Sequence, residues 1–155
     1  MKSPCAGCGL SDGGDCCQEI FNEIGARAHS DPSLGRVHRL IVDTYCLQHP
    51  PYIESAKSFA AHVLGVCAAL ECANDPLLVH RIHRWLDGPA RFAKPAVPEF
   101  RGAVTIASVA EAGTEPNVEP EKVARAVRNW ARSTWATYAM HHALAHRWIG
   151  EMMQR

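Results

Sequence analysis

The sequence predicts an all-α protein: an antiparallel helical bundle of four to six helices with an N-terminal Cys-rich metal knuckle. Three observations predict it. Apolar residues recur at helical spacing through the middle of the chain, as in Ala56, Phe59, Ala60, Val63, Val66, Cys67 and Leu70. Proline steps punctuate the chain where helices would start and stop: Asp31-Pro32, Pro50-Pro51, Asp75-Pro76 and Asp87-Gly88-Pro89. The first stretch, MKSPCAGCGLSDGGDCC, is rich in Gly, Cys and Asp and has no periodicity.

In order along the chain, residues 1–16 read as the Cys-rich knuckle. A first helix is expected over 17–29, and a second over 33–48, entered through Asp31-Pro32 and stopped by Pro50-Pro51. A third spans roughly 54–72 and carries the apolar stripe. Asn74-Asp75-Pro76 restarts the chain, with Asp75 as N-cap and Pro76 at the first helical position, and this fourth helix ends at Asp87-Gly88-Pro89. Helices one to four thus occupy 17–87. Residues 88–119 form an irregular crossover, in which 104–112 is a short helix or a strand turning into one. Pro120 opens a long C-terminal helix over 120–153. Short links between substantial helices suggest antiparallel neighbours, all in a single domain over 1–155.

Composition narrows the function. Acidic and basic residues balance at 16 each, so no charge excess points to nucleic acid or an anionic membrane. The N-terminal stretch lacks the apolar core of a signal peptide, and no apolar run reaches the roughly 20 residues of a membrane span. The expected location is therefore cytoplasmic, with thiols reduced. Seven cysteines, an odd number, cannot complete a disulfide framework. No glycine-rich phosphate loop, nucleophile elbow or His-Glu metalloprotease motif is present, and no nucleotide cofactor is expected. Nine histidines beside seven cysteines are the informative part of the composition.

Cys5-Ala-Gly-Cys8-Gly is a C-x2-C turn, a spacing at which two thiolates grip one ion while small residues let backbone amides face the sulfurs. Zinc is the expected metal, and it favours four Cys or His ligands in a tetrahedron. Adjacent side chains diverge, so one of Cys16 and Cys17 is expected to bind, with Cys17 favoured at the mouth of the first helix. If helices one and two form a hairpin, the end of helix two returns to the level of Cys17, and His49 sits there. The expected site is Cys5, Cys8, Cys17 and His49. The plainer alternative is a chance C-x2-C in a loose tail.

The remaining histidines suggest a possible second site. Leu34, Val37, His38, Ile41, Val42, Tyr45 and His49 share one face of helix two, with Asp43 opposite. At 1.5 Å per residue, His38 lies about 16 Å below His49 and His62 about 14 Å down helix three, a similar depth. On the last helix Val123, Val127, Trp130, Thr134, Thr137, His141, Leu144 and Trp148 define the buried face, so His141 points inward. His142 and His146, four apart, can chelate a metal from one helix. His38 or His62 with this pair would make a three-His site with open coordination positions, and the inward His141 belongs to the same possible second site. The plainer alternative is a set of hydrogen-bonded core histidines. His80 and His83, among arginines, are expected at the surface.

Cys5-Ala-Gly-Cys8-Gly, the run His38-Arg39-Leu40-Ile41-Val42-Asp43-Thr44-Tyr45-Cys46-Leu47-Gln48-His49-Pro50, and a late Trp135 followed by His141-His142 and Trp148 resemble a family of uncharacterised bacterial proteins, a domain of unknown function. The resemblance covers most of the chain and implies that Cys5, Cys8, Cys17, His38, Asp43, His49, His62, His141 and His142 are the positions of interest. Cys16 and Pro51 depart from that pattern. The bundle also looks loosely like the DinB-like helical metalloproteins, which carry an early His and a later His-x3-His pair; only His142 and His146 match the pair, and His38 and His62 compete for the early position.

Three functions are consistent with these residues. One is a zinc protein whose metal is structural and which binds a partner protein or a small molecule. The second is a metal-dependent enzyme, a hydrolase or a thiol-dependent transferase or isomerase, using a His site in the bundle core. The third is a metal sensor or carrier. No nucleic-acid or membrane partner is expected, and tryptophans on the last helix suit a homodimer seam as well as a core.

Overall fold

Three short polar side chains start three of the helices. Asp31 accepts a hydrogen bond from the Ser33 amide (2.9 Å), Ser55 from the Ser58 amide (3.0 Å) and Asp75 from the Leu77 amide (3.0 Å). Each satisfies an amide that the first helical turn leaves without a partner, and Pro32 and Pro76 sit where a missing N–H costs nothing. The computed structural model describes residues 3–11, 14–90, 92, 94–114 and 116–155, and the side chains of all of these except Gly14 and Asp15. Residues 1, 2, 12 and 13 of the expected knuckle, 91 and 93 of the crossover, and 115 of the following loop lie outside the described residues.

Among the described residues there are seven α-helices and no strand: α1 (Gly14–Ala28), α2 (Pro32–Gln48), α3 (Ala56–Glu71), α4 (Pro76–Asp87), α5 (Ala107–Ala112), α6 (Pro120–Thr137) and α7 (Ala139–Met153). The protein is an all-helical bundle with a Cys-rich N-terminal cluster. A short 3-10 turn, Pro50–Ile53, links α2 to α3. The stretch left open between helix and strand is helical, as α5.

α2 is the central element, packed by α1, α3 and α6. The wheel expected one buried face with Asp43 opposite. Instead the last six residues of α2, Asp43, Thr44, Tyr45, Cys46, Leu47 and Gln48, are all buried, while His38 and Val42 are only half-buried. A helix surrounded on several sides buries polar side chains as well as apolar ones, provided they find partners. Gln48 does so: its amide donates to the carbonyls of Arg101 and Val104 (both 2.9 Å) and accepts from the Trp130 indole (2.8 Å). One side chain thereby joins α2, the segment before α5, and α6.

The expected single C-terminal helix over 120–153 is two helices, divided at Tyr138. No glycine or proline explains the break; side chains do. The Thr137 hydroxyl donates to the Thr134 carbonyl (2.7 Å), and the His142 imidazole donates to the Trp135 carbonyl (2.9 Å), occupying acceptors at the end of α6. The Tyr138 hydroxyl, wholly buried, donates to the Leu47 carbonyl (2.6 Å) and pins the corner to α2. α7 then packs on α3 and α4. The turn in direction re-sorts the faces: His141, Ala145, Trp148 and Met152 are buried in α7, whereas Thr137 and Leu144, expected inside, are half-buried.

Candidate metal centre

The N-terminal turn is built around its sulfurs. The Cys5 amide donates to the Leu10 carbonyl (3.0 Å) and the Gly9 amide to the Cys5 carbonyl (2.8 Å), closing residues 5–10 into a knuckle. The Gly7 amide points at Cys5 Sγ (3.4 Å). Gly9 has φ +74°, a left-handed conformation that glycine adopts without strain. Gly7 is there for space: a Cβ on it would lie 2.5 Å from His49 Cδ2 and 2.9 Å from the Gln48 carbonyl oxygen. The knuckle therefore rests directly on the end of α2.

Arg101 holds it there. Its guanidinium donates to the carbonyls of Ala6 (3.0 Å), Gly7 (2.9 Å), Gln48 (3.1 Å) and Pro98 (2.8 Å). A planar cation with five donors suits this convergence of carbonyl groups from three parts of the chain.

Cys17, in the first turns of α1, and His49, the residue closing α2, complete the cluster. The candidate donor atoms of Cys5, Cys8, Cys17 and His49 all lie within 4.8 Å of one another, and all four residues are buried. Cys16, its neighbour, is half-buried and outside the cluster, so α1 presents Cys17. Cys17 Sγ lies 3.6 Å from Cys5 Sγ and 3.4 Å from His49 Nε2. Zinc bonds of about 2.3 Å to sulfur and about 2.0 Å to nitrogen make tetrahedron edges of roughly 3.8 Å and 3.5 Å. A disulfide would need about 2.05 Å. The two edges that meet at Cys17 are thus close to those a tetrahedral ion requires.

His49 has one nitrogen committed. Its Nδ1–H donates to the Tyr45 carbonyl (2.7 Å), which turns the lone pair of Nε2 toward the sulfurs. Its ring stacks on Tyr45 (4.0 Å between centroids), which stacks in turn on Phe21 of α1 (4.2 Å). Burial, with the nearby Arg101 charge, holds the imidazole below its usual pKa despite the Tyr45 carbonyl, so it is neutral at pH 7 as a ligand must be. The thiols differ from one another. Burial raises Cys5, but the amides of Cys8 and Gly7 and the thiols of Cys17 and Cys8 more than offset it, leaving this thiol below the usual range. Burial pushes Cys8 up to about 12, a rise the Leu10 amide opposes and the Cys5 charge reinforces. Cys17 is raised by burial and then by Cys5. Three adjacent thiolates repel one another, so an entering dication must displace protons from them.

The histidines of the expected second site do not converge among the described residues. His38 faces His29 (6.0 Å between ring centroids). His141 Nε2–H donates to the Ala96 carbonyl (2.7 Å). His142 is spent at the helix break and stacked on Trp135 (4.1 Å). His146 contacts Glu71 Oε2. His62 Nδ1 pairs with Asp43 Oδ1 (2.8 Å), and Gly65 makes room for that carboxylate, since a Cβ there would overlap it. His80 and His83 are exposed, as expected.

The His62–Asp43 pair has a pH signature. Burial lowers the His62 pKa, but the Asp43 hydrogen bond and the neighbouring Cys46 raise it further, to about 9 from 6.5. A raised folded pKa contributes stability that is complete below pH 6.5 and is lost as pH climbs through about 9, on the order of 3 kcal/mol. The stability difference between the wild type and Asp43→Asn, from urea titrations across pH 6 to 10, should be largest at the acid end and shrink through that window. A difference flat with pH would show that His62 folds uncharged.

Two adjoining cavities lie elsewhere, between α4 and α7. One, of about 380 Å³, is lined by Leu77, Arg81, Arg84, Trp85, Met152 and Arg155 among others. The other, of about 580 Å³, is lined by Trp85, Phe92, Lys94, Arg147 and Trp148 among others. Trp85 and Phe92 are stacked (4.9 Å), and Trp148 leans on both. No residue of the Cys/His cluster lines either cavity.

Gln48 and Arg101, which assemble the knuckle, carry no signal of their own in the sequence. Gln48 lies beside a histidine whose chemistry is the more distinctive, and Arg101 lies in a proline-rich crossover with no periodicity to mark it.

Fold and cluster together define a small helical protein with a buried Cys3His group able to hold a metal ion. The chain belongs to a family of unknown function, DUF5946, whose profile matches residues 3–139 and so includes all four residues of the cluster. No curated protein and no solved structure matches it significantly. The likeness to DinB-like metalloproteins gains no support, since no three histidines come together as a donor group among the described residues.

Proposed function

We propose that Cys5, Cys8, Cys17 and His49 hold one zinc ion whose role is structural, and that the protein acts by binding a small molecule or a partner. One observation carries the metal reading: three buried sulfurs and an imidazole, its other nitrogen already tied down by a carbonyl, meet within 4.8 Å of one another, with Cys17 at near-tetrahedral spacing from Cys5 and His49. Four protein donors leave no coordination position for water or substrate, which is the pattern of structural rather than catalytic zinc. Zinc suits a Cys3His set better than a hard cation, and it needs no redox partner.

The cavities between α4 and α7 support the ligand side of the reading. Arginines in their lining, with the stacked Trp85 and Phe92 rings and the tilted Trp148 indole, fit an anion that carries a flat or apolar part.

Elemental analysis of untagged protein tests the metal. A zinc ion that survives dialysis in the wild type, and is missing from Cys5→Ser and Cys8→Ser, supports the site. Unchanged tightly held zinc in Cys5→Ser would remove it. Chelation separates the roles: a structural ion takes the folded N-terminus with it, whereas a sensor or carrier gives up its ion and stays folded.

A further inference from the structure

We propose a second metal site, at the surface between α3 and α7, in which Cys67, Glu71 and His146 bind an exchangeable divalent transition-metal ion with one coordination position open. Their candidate donor atoms all lie within 4.8 Å of one another. Cys67 and Glu71 are one turn apart on α3, so both side chains leave the same face. Cys67 Sγ lies 3.8 Å from Glu71 Oε2, and His146 of α7 reaches the same oxygen through Nε2.

The carboxylate is aimed rather than loose. Its other oxygen, Oε1, accepts from the Trp135 indole of α6 (2.7 Å), and Trp135 is itself stacked under His142. A carboxylate fixed by an outer donor on one oxygen and offering the other is the usual arrangement at metal sites. Two helices thus bring a sulfur, an oxygen and a nitrogen to one point while a third orients the oxygen, a mixed set that suits zinc or cobalt and not magnesium or calcium.

This site differs from the N-terminal one in two ways. Glu71 and His146 are exposed and only Cys67 is buried, whereas all four donors at the N-terminus are buried. Three protein donors leave the fourth corner of a tetrahedron to water or an added ligand, which permits exchange. Binding replaces the proton on the Cys67 thiol with the ion, and the proton passes to solvent.

Cobalt(II) titration of the purified protein, with its N-terminal ion in place, tests the proposal. The expected result is about one equivalent of bound cobalt with a sulfur-to-cobalt charge-transfer band. Cys67→Ser should remove that band, and Glu71→Gln or His146→Ala should weaken binding by roughly tenfold or more, the least that even outer-shell partners produce. Both of the latter are surface changes, so circular dichroism should show the wild-type fold. The same titration in a Cys5→Ser background separates this site from the first: a band that depends on His146 and survives Cys5→Ser belongs here whatever the N-terminal cluster binds. No band at millimolar cobalt, or a band unaffected by His146→Ala, would overturn the proposal.

Discussion

His49→Ala is expected to abolish retained zinc and to lower the melting temperature by roughly 10 °C. An ion present at a thousand times its dissociation constant stabilises the folded state by about 4 kcal/mol, and 1 kcal/mol moves a domain of this size by about 2–4 °C. Zinc held by a small module reaches apparent binding energies of about 10–16 kcal/mol, so 4 kcal/mol is a floor for a tight site. The substitution removes the one imidazole of the cluster and the stack on Tyr45, but leaves the knuckle's glycines and the Arg101 clamp in place. Calorimetry with and without chelator reads the effect. Chelator should lower the wild type to near the level of the variant and leave the variant unmoved. A variant with full zinc content would show that the imidazole is a neighbour of the cluster and not a ligand.

Gln48→Ala should be the most damaging change of a single polar side chain. Three groups lose their partner at once: the carbonyls of Arg101 and Val104 and the indole N–H of Trp130, itself wholly buried. Each stranded group costs about 1–3 kcal/mol, and the missing side-chain volume adds to this. A total of about 4 kcal/mol or more is a large share of the stability of any domain of this size. Gln48→Glu should be no better, since a carboxylate accepts where the two carbonyls need a donor. Urea unfolding followed by Trp fluorescence measures both. A loss under 1 kcal/mol would mean that water replaces the amide, and that the link from α2 to the Arg101 segment is dispensable.

These two residues are neighbours at the end of α2, and they show where sequence reading reaches. His49 was legible because its chemistry is rare and its place was set by local rules. Helix two had to end at Pro50-Pro51, a hairpin with helix one would bring that end to Cys17, and a C-x2-C turn lay just upstream. Gln48 was not legible. A glutamine has no signature in isolation, and its three partners come from residues 53, 56 and 82 positions away.

The division at Tyr138 shows the same limit. Backbone propensity favours one continuous helix through residues 134–141, because no glycine or proline interrupts it. The break arises from competition for carbonyls, in which Thr137 and His142 take acceptors at the end of α6 and the Tyr138 hydroxyl finds Leu47 on α2. Once α7 departs from the axis of α6, a helical wheel drawn through both gives the wrong neighbours. His142 and His146 then serve separate partners and do not act as a chelating pair.

By itself the sequence determined the helical class, the starts of α2 and α4, and the membership of the Cys/His cluster. The first two depend on interactions within a few residues, namely caps, proline stops and apolar periodicity; the cluster was legible because cysteine and histidine are chemically distinctive, although His49 meets Cys17 across 32 positions. Tertiary structure alone decided the central burial of α2, the corner at Tyr138, the Arg101 clamp and the meeting of Cys67, Glu71 and His146. The physical reason is that a buried polar group must find its partner wherever the packed chain supplies one, and that choice is made in space after the helices have formed.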